Sequence, residues 1–230
     1  MTMKAWLTGH EFDPQDLVDL LPSGDVRVVR EDDDDDFYLT SPEIDNPPEG
    51  MAFHDAAEQL ITKINGLARV KNPSFQPVAL SDRYSEGEGQ PIVVRAAPFQ
   101  ARGRLGTPTV TVTRPDGTIV PDEPSPWPAR FAATASHPDL AEALEVMGRP
   151  KLLWWSDLYW VFEIIRDSVK PDEIHELGWA TKTEVSSFTG SAQKARHARS
   201  SAAPKKPMSL SEAKHFVNQL LLAWLSTLTP

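Results

Sequence analysis

Pro121-Asp-Glu-Pro-Ser-Pro-Trp-Pro128 decides how this chain is read. Four prolines within residues 121–128 continue neither a sheet nor a helix, because each fixes φ and lacks a backbone donor. The segment is expected to be a stiff connector between two regions with different hydrophobic patterns. Residues 1–120 carry short β-branched runs and two helical stretches. Residues 129–230 carry helical spacing throughout. The expected fold class is therefore α+β: a mostly antiparallel sheet domain over 1–120, the connector over 121–128, and an all-α helical bundle over 129–230.

Upstream of the connector, Lys4 to Gly9 reads as a first strand. Asp13-Pro14 opens a short helix, since Asp caps well and Pro suits the first turn. Val26, Val28 and Val29 read as a strand, with Phe37 to Thr40 as its partner. Between them stand Glu31 and Asp32 to Asp36, six adjacent acids that repel one another and belong at an exposed hairpin tip. They lack the spaced oxygens and glycine of a calcium loop. Met51 to Val70 is the clearest helix here, with Phe53, Ala56, Ala57, Leu60, Ile61, Ile64 and Leu67 on one stripe. Asn65-Gly66 is expected near its last turn. Pro77–Tyr84, Ile92–Ala97 and Thr109–Thr113 are strand candidates, and Arg114-Pro-Asp-Gly117 is a turn with Pro presetting φ. Short connections between them favour antiparallel pairing.

Downstream, Pro138 to Met147 is expected as one helix and Leu152 to Val169 as the next, its face made by Trp155, Leu158, Tyr159, Phe162 and Ile165. A short helix is expected over Asp172–Leu177. Another begins at Thr183 or Ser186 and ends near Gly190, and Ser191–Ala198 adds a turn or two. The chain then frays through Ser200 to Pro207. Ser209-Leu-Ser-Glu212 is a capping box, and Ala213, Phe216, Val217, Leu220, Leu221, Trp224 and Leu228 form the stripe of a final helix.

Composition narrows the function classes. The absence of Cys removes disulfides, thiol catalysis and Cys-based zinc sites, and fits a cytoplasmic location. No signal peptide is read at the N-terminus. The longest apolar run, Leu220 to Leu225, is too short to span a bilayer, so no membrane partner is expected. No phosphate loop, dinucleotide fingerprint, HExxH or GxSxG occurs, and the six His are scattered, so the sequence points to no cofactor and no metal.

Charge is uneven. The net charge is −10, and residues 1–120 hold 11 Lys and Arg against 20 Asp and Glu. Residues 191–206 run the other way, with Lys194, Arg196, Arg199, Lys205 and Lys206 and no acid. The molecule as a whole repels nucleic acid while this segment attracts phosphate. Arg196-His197 is the arrangement with chemical content. An imidazole can take a 2′-hydroxyl proton while a guanidinium holds the phosphate. The bland alternative pairs Arg196 with Glu163 or Glu173 and packs His197 against Trp179. Five of the seven Trp lie between Trp154 and Trp224. Trp155 is expected in the core. Trp154 and Trp160 point elsewhere on the helix and are expected to cover the junction with the sheet, or else to stack on bases or a partner.

The order Asp157-Leu-Tyr-Trp-Val-Phe-Glu-Ile-Ile-Arg166, Gly178-Trp179, Ala195-Arg-His197 and Met208-Ser-Leu-Ser-Glu-Ala-Lys214 resembles C-terminal domains of uncharacterised bacterial proteins. More distantly, it resembles the HEPN superfamily of small helical bundles. That resemblance implies a phage-defence or toxin–antitoxin context and, in active members, a metal-independent ribonuclease whose Arg and His come from paired subunits. The family motif places four to six residues between Arg and His. Here Arg196 and His197 are adjacent and Arg166 and His175 are too far apart. Arg130 and His137 fit the spacing but lie outside the resembling stretch. Two functions of different class follow. One is an RNA-directed protein, with Arg196 and His197 as the catalytic pair and Lys194, Arg199, Lys205 and Lys206 on the nucleic acid, possible as a homodimer. The other is a non-catalytic, antitoxin-like subunit that binds a protein partner.

Overall fold

The structure is a computed structural model, and it describes residues 2–10, 12–31, 36–86, 92–93, 124–196 and 204–228. Several sequence expectations lie outside these residues: the acids 32–35, strand residues 94–97 and 109–113, the turn 114–117, His197 and Arg199.

Five strands, β1 (Met3–Thr8), β2 (Arg27–Arg30), β3 (Phe37–Thr40), β4 (Ala79–Glu86) and β5 (Ile92–Val93), form one sheet in the order β2-β3-β1-β4-β5. Every neighbouring pair is antiparallel, and two of the four pairs, β2–β3 and β4–β5, follow one another directly in the chain. Register explains the two faces. Ala5 sits opposite Leu39 and Tyr84, and Leu39 opposite Val28, so these four share the buried face. The other face carries Trp6 opposite Tyr38, with the Arg83 guanidinium 3.9 Å from the Trp6 ring centroid and the Lys4 ammonium 4.6 Å from that of Tyr38. The Glu31 N–H donates to the Asp36 carbonyl at 2.9 Å, continuing the β2–β3 pairing past Arg30 and Phe37.

Eight helices are described: α1 (Phe12–Leu20), α2 (Pro42–Asp45), α3 (Phe53–Lys71), α4 (Trp127–Ala132), α5 (Pro138–Gly148), α6 (Trp155–Ser168), α7 (Lys182–Arg196) and α8 (Leu210–Leu228). The fold is α+β, with the sheet in the N-terminal region and helices in the C-terminal region. One hydrophobic core runs across both regions, from Ala5 and Leu39 through Ile64 and Leu144 to Phe188 and Leu221. The proline segment thus marks a change of secondary structure while the core continues past it.

Continuity depends on α3 lying against α5. At the crossing, a Cβ on Gly66 would sit 2.0 Å from the Leu144 carbonyl oxygen, and one on Gly148 would sit 1.8 Å from that of Thr62. Only glycine permits this approach. Gly66, near the last turn of α3 as expected, is thus also a helix-crossing contact. Its neighbour Asn65 is buried but satisfied: its amide donates to the Val78 carbonyl at 2.8 Å and accepts from the Val78 N–H at 3.1 Å. That pair ties α3 to the chain entering β4. Arg69, one turn beyond Asn65, donates to the carbonyls of Met147 and Arg149 at 2.6 and 2.9 Å, capping α5. Burial lowers the Arg69 pKa to about 10, still far above neutrality, so the cap stays charged.

Several downstream boundaries differ from expectation. Trp127-Pro128 opens α4, because proline is tolerated in a first helical turn. Residues 172–177 form turns in place of the expected short helix. α7 runs unbroken through Gly190. Its start is fixed by Thr181, whose Oγ1 accepts the Glu184 N–H at 3.2 Å while the Glu184 carboxylate accepts the Thr181 N–H at 2.8 Å. The Thr181 N–H first, and then the Thr181 hydroxyl, which donates to the same carboxylate at 2.7 Å, hold the Glu184 pKa below its usual value. The expected capping box of α8 is present: Glu212 accepts the Ser209 N–H at 2.7 Å, and Ser209 Oγ accepts the Glu212 N–H at 3.2 Å.

Candidate nucleic-acid interface

Of the basic residues singled out by sequence, Lys194 and Arg196 lie in the last turn of α7, Lys205 and Lys206 lie in the segment before α8, and Arg199 lies outside the described residues. Phe188, on the inner face of α7, is fully buried between Phe162 and Phe216, with ring centroids 5.1 Å away on either side. That contact fixes α7 against α6 and α8 and turns Lys194 and Arg196 outward, where both are exposed. The Arg196 guanidinium lies over the Tyr159 ring of α6, 5.1 Å from its centroid. Stacking of this kind holds the plane of the guanidinium while leaving its edge N–H donors available. The pairing of Arg196 with Glu163 or Glu173 does not occur. Glu163 faces Arg166 at 3.6 Å, and Glu173 faces His175 at 3.0 Å. Arg166 also meets Asp167 at 3.0 Å, and that hydrogen bond raises its pKa further. Arg166 and His175 are thus each occupied by a carboxylate and do not join Arg196.

The chain after α7 returns to it. A Cβ on Gly190 would lie 2.8 Å from the Pro204 Cβ, so Pro204 rests in the notch that glycine leaves. The Met208 N–H donates to Ser191 Oγ at 2.9 Å, satisfying a buried hydroxyl next to that notch. Pro204 and Met208 are therefore partly buried, where the sequence suggested fraying up to Pro207, while residues 205–207 are exposed. Lys205 and Lys206 follow directly and are exposed, and Lys194 stands one turn, about 6 Å of helix rise, beyond Gly190. The closure sets the chain around Lys205 and Lys206 against the middle of α7, about one turn before Lys194. Among the described residues, Lys194, Arg196, Lys205 and Lys206 form no ion pair with a carboxylate. The α7 C-terminus offers them only about half a negative charge, so positive charge dominates.

No family model matches this chain, and neither the curated proteins nor the solved structures give a match.

The Trp residues divide as follows. Trp155 and Trp224 are buried, and Trp179 packs on the core. Trp154 and Trp160 are 58% and 52% exposed, so they do not cover the junction, which α3 and α5 fill. The Trp160 indole N–H donates to Glu142 at 3.0 Å. Trp154 belongs to a loop, Arg149–Trp154, that sequence reading partly assigned to the following helix. Its organiser is Asp157, a buried carboxylate that accepts the Trp154 N–H at 3.0 Å and meets Lys151 at 3.1 Å and Arg149 at 3.4 Å. Burial pushes its pKa up, and the Trp154 hydrogen bond with the two cations more than offsets this, leaving it below the ordinary value. An acid three residues after Trp154 is a legible capping signal, hidden by placing the helix start at Leu152. Arg130 and His137, whose spacing fits the HEPN motif, stand apart in role: Arg130 lies over Trp127 and donates to Ser226 at 3.2 Å, while His137 is the N-cap of α5.

Among the described residues, no helix is long and apolar enough to cross a membrane, and no group of three metal-ligating side chains comes together.

Proposed function

We propose that this protein binds RNA at the C-terminal end of α7. Lys194, Arg196, Lys205 and Lys206 contact phosphates, and His197 and Arg199 lie between them in sequence. The observation that supports this reading is the return of Pro204 onto Gly190, which sets the segment carrying Lys205 and Lys206 against the helix that carries Lys194 and Arg196. The net charge of −10 argues against binding over the whole surface, so contact is confined to this end and strongly weakened by salt. The HEPN-like order of motifs supports the same ligand class.

Arg196, its guanidinium over the Tyr159 ring and without a carboxylate partner among the described residues, is suited to a phosphate. The test is incubation of a mixed RNA pool with the full chain in chelator, reading cleavage and binding separately for wild type, Arg196→Ala and His197→Ala. Binding weakened by Arg196→Ala supports the reading. Cleavage lost in both variants adds catalysis by the Arg196–His197 pair. Absence of binding at low salt overturns the RNA reading.

A further inference from the structure

We draw no further inference here: the strongest candidate, the cavity between α3 and the end of α5 lined by Glu49, Asp55, Glu58, Glu145 and Arg149, rests on a cluster of acidic residues alone, since no buried polar group left unpaired among the described residues lines it and nothing there shows what ligand it would take.

Discussion

Gly66→Ala sets two physical effects against each other with opposite signs. In an exposed helix interior, replacing glycine by alanine stabilises by about 1 kcal/mol. At Gly66 the new methyl group would lie 2.0 Å from a backbone oxygen of α5. Reaching an ordinary carbon–oxygen approach of about 3.3 Å requires α3 and α5 to part by more than an ångström. A radial gap of that size forfeits a large fraction of the dispersion energy between facing groups. The groups at risk are the buried Leu60, Ile64, Leu140, Leu144 and Met147. The expected net loss is about 2–4 kcal/mol, a large share of the 5–15 kcal/mol typical of a domain and about 5–12 °C in melting temperature. Gly190→Ala is the comparison: its methyl would meet the Pro204 Cβ at 2.8 Å, a milder approach to one ring carbon and not to a helix backbone, so a smaller loss of about 1 kcal/mol is expected. Urea denaturation of the three proteins reads the difference. A Gly66→Ala protein as stable as wild type, or more so, would mean that the helices do not cross at this residue and that the core is not continuous there.

Three other outcomes follow from the same packing. Asp157→Ala frees the Trp154 N–H and leaves Arg149 and Lys151 unpaired, costing about 2 kcal/mol at neutral pH in a denaturation experiment. Because the Asp157 pKa is depressed, its contribution is complete above the unfolded value of about 3.9 and is lost as pH falls through the folded value. The gap between wild type and variant should therefore close in acid. Ser209→Ala removes a cap of α8 and costs about 1 kcal/mol, visible as a lower urea midpoint with unchanged slope. Arg69→Met leaves the Met147 and Arg149 carbonyls without their donor and costs about 2 kcal/mol, with faster amide exchange in the last turn of α5 as its local signature.

Elements whose signals are local were legible in the sequence. α8 follows from Ser209, Glu212 and an unbroken apolar stripe, and β3 from Phe37 to Thr40 between turn signals. The helix around Leu60 and Ile64 follows from spacing alone. Features fixed by distant partners were hidden. Gly66 and Gly190 read as helix punctuation, because glycine inside a helix is ordinarily a weakness. Both are tolerated here because another segment needs the space. Proline at 128 obscured α4, since the same residue that stops a helix can also start one. The cations at the end of α7 were visible as composition. Their closure through Pro204 and the seat of Arg196 on Tyr159 were not, because nothing local couples residues so far apart in sequence.

Lys205 and Lys206, on the segment that Pro204 returns to α7, are proposed to hold phosphates together with Lys194 and Arg196. The most direct measurement is the salt dependence of affinity for an RNA single strand, from about 50 to 200 mM salt, for wild type and for the Lys205→Ala/Lys206→Ala double variant. Each lost phosphate contact lowers the log–log slope by about 0.7, so the account predicts a variant slope shallower by about 1.4, with weaker binding at low salt. A slope unchanged by removing both lysines, in a protein that still binds RNA, would contradict it.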